Sequence, residues 1–257
     1  MITSSSNARI KLVRALQTRR RARQRESAYV IEGVRLMREA VDAKAPFKLV
    51  LHTRQMREKE PRLLEMLSEL SVEVHAVSDS VMHSCSDVDN PPGLLAVLSQ
   101  TAVPLPPKLN LALIVDRLNN PGNLGTMLRS ADAAGVQAVF LTGDTVDAYN
   151  PKVVRGAMGA HFRTPIVSTS VADLDEQLTG LETWLAEAKT GQPYDQVDWS
   201  RPTALMIGGE ARGSSRQVRA LASRSVHIPM RSGTESLNAA VAASVILFEI
   251  TRQRGRR

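Results

Sequence analysis

Residues 118–135 read LNNPGNLGTMLRSADAAG, between an apolar run at 111–115 (LALIV) and another at 136–141 (VQAVFL). Asn119, Asn120, Pro121 and Gly122 stand where a strand should hand over to a helix, and Gly135 where that helix should stop. Such a turn leaves the first amides of the helix free for a ligand, and Arg129 falls two turns further on. Thr126 and Arg129 share a helix face that begins at the turn, which sets Arg129 apart from an ordinary surface cation.

Outward from this turn, strands are expected at 111–116, 137–142, 182–187, 203–208 and 225–229, with helices between most of them. This alternation predicts an α/β domain with a mostly parallel sheet covered on both faces, whose ligands bind at the carboxyl ends of the strands. Three turn-rich loops fall at that edge: 119–125, 208–213 and 229–238. Each also has an ordinary explanation. Gly208, Gly209 and Gly213 suit a strand-to-helix turn capped by Ser214 or Ser215, and Ser236 suits the cap of a core helix running to Ile250. Gly122 and Gly125 match part of the dinucleotide fingerprint GxGxxG, with Asp144 at a distance suited to a ribose hydroxyl. A nicotinamide enzyme is therefore a competing reading. Against it, Asn120 stands in place of the first glycine and the two later loops go unexplained.

Upstream, strands are expected at 28–31, 47–51, 72–77 and 94–98, with helices at 33–43 and 61–70, giving a small α/β domain over 1–100. Pro104, Pro106 and Pro107 deny backbone donors and favour an extended chain, which places a linker at 101–109 and the second domain at 110–257.

The chain of 257 residues is 43% hydrophobic, enough for a substantial core, and carries a net charge of +7. Its cations are concentrated: Arg9, Lys11, Arg14, Arg19, Arg20, Arg21, Arg23 and Arg25 all precede the first acidic residue, Glu26. Such a run is either a solvated basic tail or a phosphate-tracking surface, and a polyanionic partner is the favoured reading. Arg155, Arg163 and Arg231 lie nearer the loops and are further candidates to hold a nucleic-acid strand. Aromatic residues make up only 4%, so recognition of folded RNA shape suits the chain better than a stacking platform. The single cysteine, Cys85, excludes an internal disulfide, and the five histidines lack metal-ligand spacing, so no metal is expected. No apolar stretch reaches bilayer length and none follows the basic N-terminus as a signal would, so a cytoplasmic protein with no membrane partner is expected.

NNPGNLGTMLRSADAAG, LMIGGEARGSS and IPMRSGTESLNAAVAASVILFE resemble the three ordered motifs of the SpoU (TrmH) branch of the SPOUT RNA methyltransferases, and YNPKVVRGAMGAHFRTPI at 149–166 resembles the segment between the first two. The similarity covers about 110–254; SSSNARIKLVRAL, VIEGVRLMREA and PPGLLAV resemble, less specifically, the family's L30e-like substrate-binding domain. The resemblance implies a SPOUT fold with a deep trefoil knot formed by about 203–254, a homodimer, and S-adenosylmethionine as methyl donor to a ribose 2′-hydroxyl. It implies a donor site at Leu141, Thr142, Gly208, Gly209, Glu210, Ile228, Met230, Leu237 and Asn238, and a catalytic set of Arg129, Asn123, Glu210, Ser236 and Asn238. Arginine is an awkward base because its guanidinium stays protonated in proteins, so Arg129 is expected to bind phosphate and orient the hydroxyl, with Glu210 either a proton acceptor or a loop anchor. Ribosomal RNA is the expected substrate because of the added N-terminal domain. Transfer RNA, self-protective rRNA methylation against an antibiotic, and a catalytically silent RNA-binding relative are the alternatives.

Overall fold

The computed structural model describes residues 1–257 except Ser71, Ala211, Ser232, Thr234, Arg256 and Arg257. The chain divides into two compact units, Met1–Thr101 with Tyr149–Phe162, and Ala102–Ala148 with Arg163–Arg257.

The first unit opens with two short helices, α1 (Ala8–Thr18) and α2 (Arg20–Glu26), where the sequence pattern shows only a basic run. Ile10, Val13 and Leu16 recur every three residues and are fully buried, so α1 is held by one apolar face while its cations face outward. There follow β1 (Ala28–Glu32), α3 (Val34–Asp42), β2 (Phe47–His52), α4 (Arg54–Lys59), α5 (Pro61–Glu69), β3 (Glu73–Ala76), α6 (Asp79–Cys85) and β4 (Leu94–Ser99). The sheet order is β1-β4-β2-β3; β4 runs antiparallel to both neighbours and β2 pairs β3 in parallel. Alternate residues of β1 feed two cores: Val30 joins the α1 and α6 side, whereas Tyr29 and Ile31 join the α3 and α5 side.

The second unit begins with β5 (Leu111–Asp116), α7 (Pro121–Ala133) and β6 (Ala138–Thr142). Next in the chain is α8 (Pro151–Ala157), within the 149–162 segment that belongs to the first unit, where Tyr149, Val154 and Phe162 join the core around Tyr29. The second unit continues with β7 (Ile166–Ser168), α9 (Val171–Gln177), β8 (Glu182–Ala186), β9 (Gln192–Pro193), β10 (Thr203–Gly208), α10 (Arg216–Leu221), β11 (Arg224–His227) and α11 (Ala239–Arg254). The strands form one sheet in the order β7-β6-β5-β10-β8-β11-β9, and every pairing is parallel. Both sheet and parallel sense match the expectation; the short β7 and β9 have no counterpart in the sequence pattern. One face packs Leu174, Leu178 and Val218 of the α9–α10 layer against Ile114, Phe140 and Met206. α7 and α11 pack on each other, with the Ser244 hydroxyl donating to Ser130 at 2.7 Å and Thr251 to the Ala134 carbonyl at 3.1 Å.

Candidate active site

The central strands β5 and β10 end side by side, with Asp116 paired to Gly208 in register. Asp116 is 1% exposed, and its carboxylate accepts from the Thr142 hydroxyl at 2.9 Å and from the Ser215 amide at 2.6 Å. One buried carboxylate thereby ties the ends of β5 and β6 to the start of α10 and fixes the edge from which the loops emerge. The backbones that follow approach too closely for side chains. A Cβ on Gly208 would lie 2.3 Å from the Ser214 nitrogen, and one on Gly209 would lie 2.2 Å from the Arg117 carbonyl oxygen. Glycine at both positions is therefore a steric requirement.

The helix starts differ from the sequence expectation. The first amides of α7 are not left open: the Asn120 side chain accepts from Gly122 N at 2.9 Å and Asn123 N at 3.3 Å. Nor does Ser236 cap the last helix; Asn238 does, accepting from Ala240 N at 2.9 Å and Val241 N at 3.3 Å. Asparagine makes the same side-chain cap as serine and lies next to the first helical residue, which is why it takes the role. Ser215 caps α10.

Because Asn238 directs its oxygen at those amides, its Nδ2 is turned outward and donates to Glu210 Oε1 at 3.3 Å. The Asn123 amide donates to the same oxygen. Glu210, Asn123 and Asn238, one from each of the three loops, are thus joined at one carboxylate. Arg129 does not enter this cluster. It lies on α7 three residues beyond Thr126 and six beyond Asn123, exposed and without an ion-pair partner among the described residues.

Beside Glu210 opens a cavity of about 260 Å³. Of the expected donor residues, Gly208, Gly209, Glu210, Ile228, Met230 and Leu237 line it, and so does Ser236. Leu141, Thr142 and Asn238 do not: the first two are buried at the end of β6, where Thr142 is committed to Asp116, and Asn238 caps α11 and reaches the donor cavity only through Glu210. The sequence pattern did not point to three further lining residues: Glu187 after β8, Ser214, read there only as a possible helix cap, and Arg219, whose guanidinium pairs with Glu187. Glu187 was findable, since it too follows a strand at the carboxyl edge. The cavity suits a ligand with both apolar and polar parts. Ile228, Met230, Leu237 and Ile246 supply apolar wall, while the Ser214 hydroxyl is buried, the residue being 7% exposed, with no hydrogen-bond partner among the described residues. An orphaned buried hydroxyl in a cavity wall is a site for a ligand's polar atom.

The cations divide into free and committed groups. Lys11, Arg14, Arg19, Arg20 and Arg21 are exposed on α1, α2 and the junction between them, and Arg25 is exposed while pairing with Glu26. Arg23 contradicts the phosphate reading: it is 3% exposed and donates to the Leu16 carbonyl at 2.7 Å, tying α2 to the end of α1. Arg155 is bidentate on Asp87 at 3.1 Å, and Arg163 forks onto Asp132 at 2.8–3.3 Å, so neither cation is free. Arg231 is exposed.

Residues 110–248 match the model of the SpoU rRNA Methylase family, and residues 7–96 match that of an MRM3-like substrate binding domain. The chain is 30% identical to the 23S rRNA (guanosine(2553)-2′-O)-methyltransferase of Bacillus subtilis, over 97% of this chain and 98% of the relative. It is 34% identical to the 23S rRNA (uridine(2479)-2′-O)-methyltransferase of Streptomyces viridochromogenes, over 98% and 92%. The crystal structure of an AdoMet-bound rRNA methyltransferase from Sinorhizobium meliloti superposes with a TM-score of 0.87 at 27% identity, over 98% of this chain and 97% of that one.

Proposed function

The chain belongs to the SpoU rRNA methylase family, and from that membership we propose that it carries a methyl group from S-adenosylmethionine to the 2′-hydroxyl of a ribose in folded ribosomal RNA. The observation that supports this most is the joining of Asn123, Asn238 and Glu210 at the mouth of a mixed apolar and polar cavity. S-adenosylmethionine, when bound, supplies a methyl already activated as a sulfonium, so the protein's task is to bind, align and exclude water. Gly208, Gly209, Ile228, Met230 and Leu237 hold the donor, with Ser214 giving or taking one hydrogen bond. Glu210 acts as the anchor of its loop, since two amides already occupy one of its oxygens. Arg129, exposed on α7 and without an ion-pair partner among the described residues, binds an RNA phosphate and orients the hydroxyl; Ser236 and Asn238 complete the set.

The first unit is the substrate-binding domain, and its exposed Lys11, Arg14, Arg19, Arg20, Arg21 and Arg25 track the RNA backbone, with Arg231 nearer the donor cavity. The active form is a homodimer. Its support is the apolar surface that α11 leaves uncovered: Val241 and Phe248, two turns apart, are 46% and 49% exposed. The trefoil knot over about 203–254 rests on the family membership alone. No helix among the described residues is long and apolar enough to cross a membrane, and the protein works in the cytoplasm. Incubation with methyl-labelled S-adenosylmethionine and fractionated RNA from a strain lacking the gene tests the reading. Label in ribosomal RNA supports it; label in transfer RNA alone moves the substrate, and donor binding without transfer to any RNA favours a silent relative.

A further inference from the structure

A second cavity, of about 400 Å³, is lined by Arg117, Asn119, Asp144, Glu210 and Arg212, and Glu210 lines the donor cavity as well. One carboxylate is thus a shared wall of two spaces, one suited to the donor and one walled almost wholly by charged and amide groups. Resting on the function proposed above, we propose that this second cavity seats the nucleotide to be methylated, with Arg117 and Arg212 holding phosphates on either side of it.

The backbone around Arg117 is built to present that side chain. Arg117 has φ +59, in the left-handed region that costs a non-glycine residue about 1 kcal/mol or more. Asparagine or glycine would relieve the strain, yet the position holds a long cation. Its neighbours give way to it twice. A Cβ on Gly143 would lie 3.0 Å from the Arg117 Cγ, and one on Gly209 would strike the Arg117 carbonyl oxygen. The Arg117 side chain therefore runs over the bare backbone of Gly143 at the same edge as Asp144.

The charges are also uncommitted. Arg117 and Arg212 form no ion pair among the described residues, although Asp144 and Glu210 line the same cavity. Two free guanidiniums offer forked donors to phosphate oxygens, and Asn119 and Asp144 offer acceptors to a ribose hydroxyl or a base N–H, which is the inventory a single nucleotide requires. Asp144, the residue that sequence pattern associated with a dinucleotide ribose, finds a place here without a nicotinamide enzyme.

The test is steady-state methylation of ribosomal RNA by the full-length protein over a salt series, comparing Arg117→Asn and Arg212→Gln with the parent. Asparagine tolerates φ +59, so Arg117→Asn keeps or improves the fold while deleting the cation. Each variant is expected to raise the RNA KM about tenfold, as loss of one charge-assisted hydrogen bond does. It should flatten the salt slope by the share of about one phosphate and leave S-adenosylmethionine affinity, read by calorimetry, unchanged. Unaltered KM and slope in an active parent overturn the proposal, as does weakened donor binding, which would make the two arginines part of the donor site. A parent that transfers no methyl to any RNA fails one step earlier, at the function itself.

Discussion

Asn238 serves two structures at once: its Oδ1 caps α11 while its Nδ2 donates to Glu210 Oε1 at 3.3 Å. Asn238→Asp keeps the cap and turns a second carboxylate towards Glu210, so it should retain the melting temperature and lose most methyl transfer. Asn238→Ala should lose both, with a stability cost of about 1 kcal/mol. Thermal unfolding beside single-turnover rates separates the two; equal activity of Asn238→Asp and the parent would show that the hydrogen bond to Glu210 does not matter.

Arg129 is exposed and pairs with no carboxylate among the described residues. Arg129→Ala should therefore leave unfolding within about 0.5 kcal/mol of the parent, bind S-adenosylmethionine normally and transfer no measurable methyl. Loss of donor binding would place it in the donor site instead.

Asp116 gathers Thr142 and Ser215 under the loops. Asp116→Ala strands two donors and should cost about 1–3 kcal/mol in urea titration, with donor affinity falling because the edge of β5, β6 and α10 is no longer fixed. Unchanged stability would mean that water replaces the carboxylate.

The basic N-terminal helices contain two kinds of arginine. Arg23→Ala, removing a buried guanidinium bonded to Leu16, should destabilise the first unit and leave the salt dependence of RNA binding alone. Arg20→Gln with Arg21→Gln should do the reverse, lowering the slope by about 0.7–0.9 for each phosphate no longer neutralised. Filter binding over a salt series and chemical denaturation distinguish them.

The parallel sheet was legible because its strands are continuous apolar runs closed by Asn, Pro and Gly, signals that act over a few residues. Asn123, Glu210 and Asn238 were reached through motif resemblance, and their meeting at one oxygen is a tertiary fact no spacing encodes. Arg23 was misread because charge pattern cannot tell a guanidinium facing water from one folded back on the Leu16 carbonyl. The segment 149–162 packs with the first unit because Tyr149, Val154 and Phe162 find their apolar partners there, and local pattern does not name a distant partner. Ser214 was read only as a possible helix cap and Arg219 not at all, because a serine in a turn and a cation on a helix look the same whether or not a cavity opens beside them.

The most direct test is where the methyl arrives. A 2′-O-methyl group blocks attack of that oxygen on the adjacent phosphate, so alkali cannot cut there. Ribosomal RNA labelled by the protein and hydrolysed in alkali should release its label as a resistant dinucleotide, mapped by mass spectrometry to one position. Label in mononucleotides would mean methylation of a base, and would contradict a ribose 2′-hydroxyl as the acceptor.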